Sequence, residues 1–174
     1  PTKIIRIMTI NIGQNPYEKI PRVLQTLQQE DIDVALIQET GRGYNATETC
    51  EPIGYTCYQT EAQHAGAAIL IKNKWNANIS EPTIIQEGRA IALTLKTKRG
   101  QEILVSSIYY YTNLDNLKND SFEYLQAQAN TDDFVALINP QTSLAIIGGD
   151  FNNTDGPEDR IRPNPNTQGR FPDQ

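Results

Sequence analysis

The opening of the chain constrains its fold most. Ile4, Ile5, Ile7 and Ile10 form a short β-branched run over residues 3–10, which suits a buried strand better than a helix of that length. Asn15-Pro16 breaks the run. Over residues 17–30 the apolar positions Ile20, Val23, Leu24 and Leu27 recur at helical spacing, with Lys, Gln and Glu filling the opposite face. Asp31 and Asp33 then punctuate the entry to a second apolar strand at 34–38. A helix between two short strands lets them lie side by side in parallel, so the chain begins as an α/β unit.

The remainder continues in short strands. A Gly-rich loop at 40–54 leads to runs at 55–59, 67–71, 90–95 and 103–110, the last two expected to join as a hairpin around Lys98 and Gly100. Phe122, Leu125, Ala129, Phe134, Leu137 and Ile138 give residues 121–139 a helical period with a break near Asn130. A last strand at 144–147 runs into Gly148-Gly149-Asp150-Phe151-Asn152, where the glycine pair is expected to let the backbone turn sharply and deliver Asp150 at the strand end. At 174 residues and 38% hydrophobic content the chain suits one domain. Its apolar runs are too short to span a membrane, and no secretory pattern opens it. Cys50 and Cys57, without CxxC spacing, read as free thiols. A net charge of −6 argues against a broad cationic nucleic-acid surface, yet suits a site that uses carboxylates to hold a cation.

Polar residues cluster at strand ends: Asn11 after the first, Glu39 after the second, Tyr110 and Asn113 near the end of the 103–110 strand, Asp150 and Asn152 after the last. Taken singly, these are ordinary turn and surface residues. In α/β sheets, however, ligands bind beyond the carboxyl ends of strands, so groups distant in sequence can converge there. No GxSxG elbow, Walker-type loop or GxGxxG after the first strand competes for the site.

Ile10-Asn11, Ile37-Gln38-Glu39, Tyr110-Tyr111-Thr112-Asn113 and Gly149-Asp150-Phe151-Asn152 appear in an order and spacing that resembles the endonuclease/exonuclease/phosphatase superfamily of apurinic endonucleases, DNase I and non-LTR retrotransposon endonucleases. Ala65-Gly66-Ala67-Ala68-Ile69 resembles the family's small-residue strand start, and Ile37-Gln38-Glu39-Thr40 resembles the retrotransposon branch most. The resemblance implies a DNase I-like four-layer α/β/β/α sandwich. It implies that Glu39 binds Mg²⁺ or Mn²⁺ with help from Asn11, and that Asp150 deprotonates the attacking water. Asn152 would hold Asp150 or the phosphate, while Tyr110 and Asn113 would hydrogen-bond phosphate oxygens.

The departures matter too. Gly13 stands where many relatives have Asn or Asp, Thr112 replaces a proline, and the family's C-terminal Ser-Asp-His motif is absent; the sole histidine, His64, matches nothing catalytic. The expectation is one domain over 1–174 that lacks its C-terminal portion, with an incomplete second sheet open to self-association. By resemblance the function is a metal-dependent endonuclease nicking DNA for retrotransposon integration, in the nucleus of a eukaryotic host. The alternatives are a superfamily enzyme acting on lipid, inositol phosphate or RNA, and an inactive binding module.

Overall fold

A computed structural model describes residues 4–13, 15–43, 50–111, 132 and 144–152. The helix-period segment at 121–139 and Asn113 lie outside these residues, apart from Asp132. The chain runs β1 (Ile7–Asn11), α1 (Pro16–Gln29), β2 (Val34–Gln38), β3 (Tyr55–Thr60), β4 (Ala67–Lys72), β5 (Thr83–Gln86), β6 (Ala90–Lys96), β7 (Glu102–Tyr109) and β8 (Leu144–Asp150), with short 3-10 turns at Glu51–Ile53 and Asn73–Asn78. The strands make two four-stranded sheets, ordered β1-β2-β4-β3 and β5-β6-β7-β8.

The expected crossover is present. β1 and β2 pair in parallel, Asn11 opposite Gln38, with α1 between them in sequence. Pro16 opens the helix, where its missing N–H costs nothing. Buried Ile20, Val23, Leu24 and Leu27 form its inner stripe and pack with Ala35, Ile37, Ala68 and Leu70 on one face of the first sheet. Strand alternation turns Val34, Leu36, Ala67, Ile69 and Ile71 to the other face, against Ile91, Leu93, Leu95, Ile103 and Val105 of the second sheet. Helix, sheet and sheet are therefore three stacked layers. β6 and β7 form the expected hairpin, closed by Thr97 N–H donating to Gln101 O at 2.8 Å.

Three boundaries differ from the sequence reading. Asn11 is the last residue of β1 rather than a residue beyond it. β5 was not anticipated; it is four residues long and largely exposed, with a register shift opposite β6, so it lacks the apolar run that marks a strand. β8 continues through both glycines to Asp150. Gly149 makes no sharp turn: a Cβ there would lie 2.2 Å from Ile108 O, so glycine is required by the close approach of β8 to β7.

β7 and β8 pair in parallel with Tyr109 opposite Asp150, so both sheets aim strand ends at one edge of the sandwich. A buried polar link aligns them: Gln38 Nε2 donates to Ser107 Oγ and Ser107 Oγ donates to Ile37 O, both at 3.1 Å. Each of these residues lies one or two positions before a site residue, Glu39 or Tyr109. The link therefore fixes the spacing across the site.

Candidate active site

Three residues called from the sequence meet at that edge. Asn11 Nδ2 donates to Glu39 Oε1 at 2.8 Å and to Asp150 Oδ2 at 2.6 Å. Asn11 Oδ1 accepts the Gly13 N–H at 2.7 Å, which fixes the amide with its nitrogen toward the carboxylates. Gly13, a departure from the family pattern, thus orients the amide instead of supplying an oxygen.

The loop after Glu39 explains its pose. Glu39 adopts φ +58, a left-handed conformation rare for a residue with a side chain. Gly41 N–H donates to Ala65 O at 2.7 Å, holding the turn against the start of β4. Gly66, at φ +113, makes room, since a Cβ there would meet Thr40 Oγ1 at 2.3 Å. This is the physical basis of the small-residue pattern at 65–67.

Asp150 is held from the opposite side. Its Oδ1 accepts the Asn152 N–H at 3.0 Å, and Asn152, at φ +49, donates through Nδ2 to Tyr110 O at 2.8 Å. Tyr110 N–H donates to Asp150 O at 2.8 Å, extending the β7-β8 pairing by one step. Tyr110 therefore joins the site through its backbone. The phenol beside Glu39 belongs to Tyr109, which the sequence reading left outside the site. Burial first, then the neighbouring Glu39 carboxylate, push the Tyr109 phenol above its ordinary value, while Arg89 pulls the other way. Strand alternation puts Tyr109 and Tyr111 on one face, a pattern that core packing explains equally well from sequence, and the Arg89 guanidinium contacts both rings.

Two carboxylates within reach of one amide nitrogen call for positive charge. Among the described residues neither forms an ion pair; the paired acids are Asp31, Asp33 and Glu102. Carboxylate oxygens converging in this way are the donor set of a hard divalent cation. The residues present therefore fit Mg²⁺ or Mn²⁺, held by Glu39 and Asp150. Among the described residues no three His, Cys, Asp or Glu side chains cluster, so water or substrate oxygens would complete the coordination. Asn11, with its nitrogen inward, orients the two carboxylates.

These features place two carboxylates and an orienting amide at one edge of a two-sheet α/β scaffold. The profile of the endonuclease/exonuclease/phosphatase family matches residues 8–172, and the chain belongs to that family. No curated protein matches it. Among solved structures it is similar to the endonuclease domain of TRAS1, a telomere-specific non-LTR retrotransposon, at 17% identity and TM-score 0.58, covering 87% of this chain and 60% of that one. It is similar to an AP endonuclease from Archaeoglobus fulgidus at 18% identity and TM-score 0.61, covering 88% and 60%. D. rerio TDP2 complexed with a single-strand DNA product matches at 18% and 0.61, covering 87% and 62%. These likenesses establish a DNase I-like fold. The chain spans about three-fifths of the length of these structures.

Proposed function

We propose that this chain is a divalent-metal-dependent endonuclease that nicks DNA, of the kind used in retrotransposon integration and acting in the nucleus of a eukaryotic host. The observation that carries the reading is the convergence of Glu39 and Asp150 on Asn11 Nδ2. DNA as substrate is supported by the D. rerio TDP2 structure with its DNA product and by a Neisseria 3′ phosphatase bound to a product DNA hairpin. The retrotransposon role is supported by the likeness to TRAS1 and by the Ile37-Gln38-Glu39-Thr40 run.

When bound, a divalent cation supplies charge that offsets the phosphodiester anion. The chain's own groups divide the remaining work. Asp150, fixed by the Asn152 N–H and the Asn11 amide, accepts the proton of the attacking water. Glu39 contributes the second carboxylate and is held by Asn11, with the Tyr109 phenol beside it. Neutral amide and phenol donors orient anionic groups without adding charge. Tyr110 and Asn113 retain the role that the resemblance implies, hydrogen bonding to phosphate oxygens.

The test is nicking of supercoiled plasmid by the 174-residue chain with Mg²⁺ or Mn²⁺, with EDTA and Asp150→Ala as controls. Metal-dependent nicking should fall by about a thousandfold or more in the variant. Folded wild-type protein that leaves plasmid intact at every metal concentration would reject the reading.

A further inference from the structure

Arg89 occupies an unusual place beside the site. Its guanidinium carbon lies 4.9 Å from the Tyr109 ring centroid and 4.4 Å from that of Tyr111, so two aromatic rings contact it. Among the described residues it has no carboxylate partner. Its backbone is locked to the same strand, Tyr109 N–H donating to Arg89 O at 2.7 Å. Nη1 reaches Tyr110 O at 3.4 Å, the carbonyl that also accepts Asn152 Nδ2 at 2.8 Å. Gln86 Nε2 donates to the Tyr111 hydroxyl and fixes the outer ring.

These contacts lead to both carboxylates. One runs through the Tyr109 ring, whose phenol lies beside Glu39; the other runs through Tyr110 O to Asn152, whose N–H bonds Asp150. An apolar side chain would fill the slot between the rings at a smaller desolvation cost. It could not supply both a flat cation for the ring faces and a directed N–H for the carbonyl.

We propose that Arg89 is a positioning residue for the phosphodiesterase reaction: it sets the separation of Glu39 and Asp150 by clamping Tyr109 and the Tyr110 carbonyl, without touching substrate. The inference rests on the metal-dependent reading above and adds a residue that the sequence motifs do not contain.

The experiment compares Arg89→Met, which fills the slot without charge or donor, and Arg89→Lys, which keeps charge without the planar fork. Each is made in the wild-type and Tyr109→Phe chains. Plasmid nicking gives kcat and KM; Mn²⁺ binding followed by electron paramagnetic resonance needs no turnover; thermal melting reports folding. Arg89→Met should lower kcat about tenfold and weaken Mn²⁺ binding about tenfold, with plasmid KM within about twofold of wild type. Lysine should not restore either quantity. In the Tyr109→Phe background the further loss should be well below tenfold, since part of the effect passes through that phenol.

A rise in KM at unchanged kcat would overturn the proposal in favour of direct phosphate contact. Unaltered kinetics and Mn²⁺ binding with a lowered melting temperature would overturn it in favour of packing alone. Full additivity with Tyr109→Phe would also overturn it. If wild type binds Mn²⁺ without nicking plasmid, the DNA reading fails while the Mn²⁺ series still judges Arg89. Wild type that binds no Mn²⁺ sinks both.

Discussion

Asn11 shows how one neutral side chain can hold a charged site together. Both N–H groups of its amide go to carboxylates and its oxygen goes to Gly13 N–H, so the amide is saturated in a single orientation. Asn11→Ala removes the amide that bridges Glu39 and, across the sheets, Asp150, while leaving both carboxylates in place. Nicking should fall about 10–100-fold and the Mg²⁺ needed for half-maximal rate should rise, measured by metal titration of the plasmid assay. An unchanged midpoint would mean that the carboxylates are positioned without the amide. Asn11, Glu39 and Asp150 were legible in the sequence because each lies at the end of an apolar strand run. Tyr109 was not, since choosing among three consecutive tyrosines requires knowing where β7 ends, and it ends at Tyr109. Arg89 was invisible for another reason: its partners are about twenty residues away along the chain.

At the scale of elements, the β-branched runs and the α1 stripe were readable because burial demands them, whereas exposed β5 carried no such demand. Nor did the sequence reveal what anchors the entry to β2. Asp33 is buried and accepts from the Arg6 N–H at 3.1 Å, from Trp75 Nε1 at 3.3 Å and from Lys74, tying β1, β2 and the 73–78 turn together. Burial alone would push its carboxyl up, but the Lys74, Arg6 and Trp75 hydrogen bonds outweigh it and hold the group below its ordinary value of 3.8. A depressed carboxylate contributes stability that is present above its unfolded value, about 3.9, and lost as pH falls through the folded one. Asp33→Asn should therefore cost about 1–3 kcal/mol at pH 7 by urea unfolding. The gap to wild type should narrow below about pH 4. A gap of equal size at pH 3 and pH 7 would show that the Asp33 charge plays no part.

For the molecule as a whole, the net charge of −6 and the site oppose each other until a cation arrives. Glu39 and Asp150 lie on different sheets and are brought together without an ion-pair partner among the described residues, so their repulsion acts across the β1-β8 junction of the sandwich. Close like charges destabilise a folded state, and sites of this kind often trade stability for function. Asp150→Asn removes one charge at nearly constant shape and leaves one of the two N–H groups that Asp150 accepts without its partner; with the charge relief the larger effect, the metal-free variant should melt a few degrees above metal-free wild type. Added Mg²⁺ or Mn²⁺ binds only the folded arrangement and should stabilise wild type by about 2.7 kcal/mol at a hundred times its dissociation constant. The variant should gain much less, which reverses the order of the two melting temperatures as metal is added. Scanning both proteins across a metal series, with Ca²⁺ and Na⁺ as charge controls, reads this crossing directly. Parallel curves would place the metal's stabilising effect elsewhere on the acidic surface, and the convergence of Glu39 and Asp150 would then need another explanation.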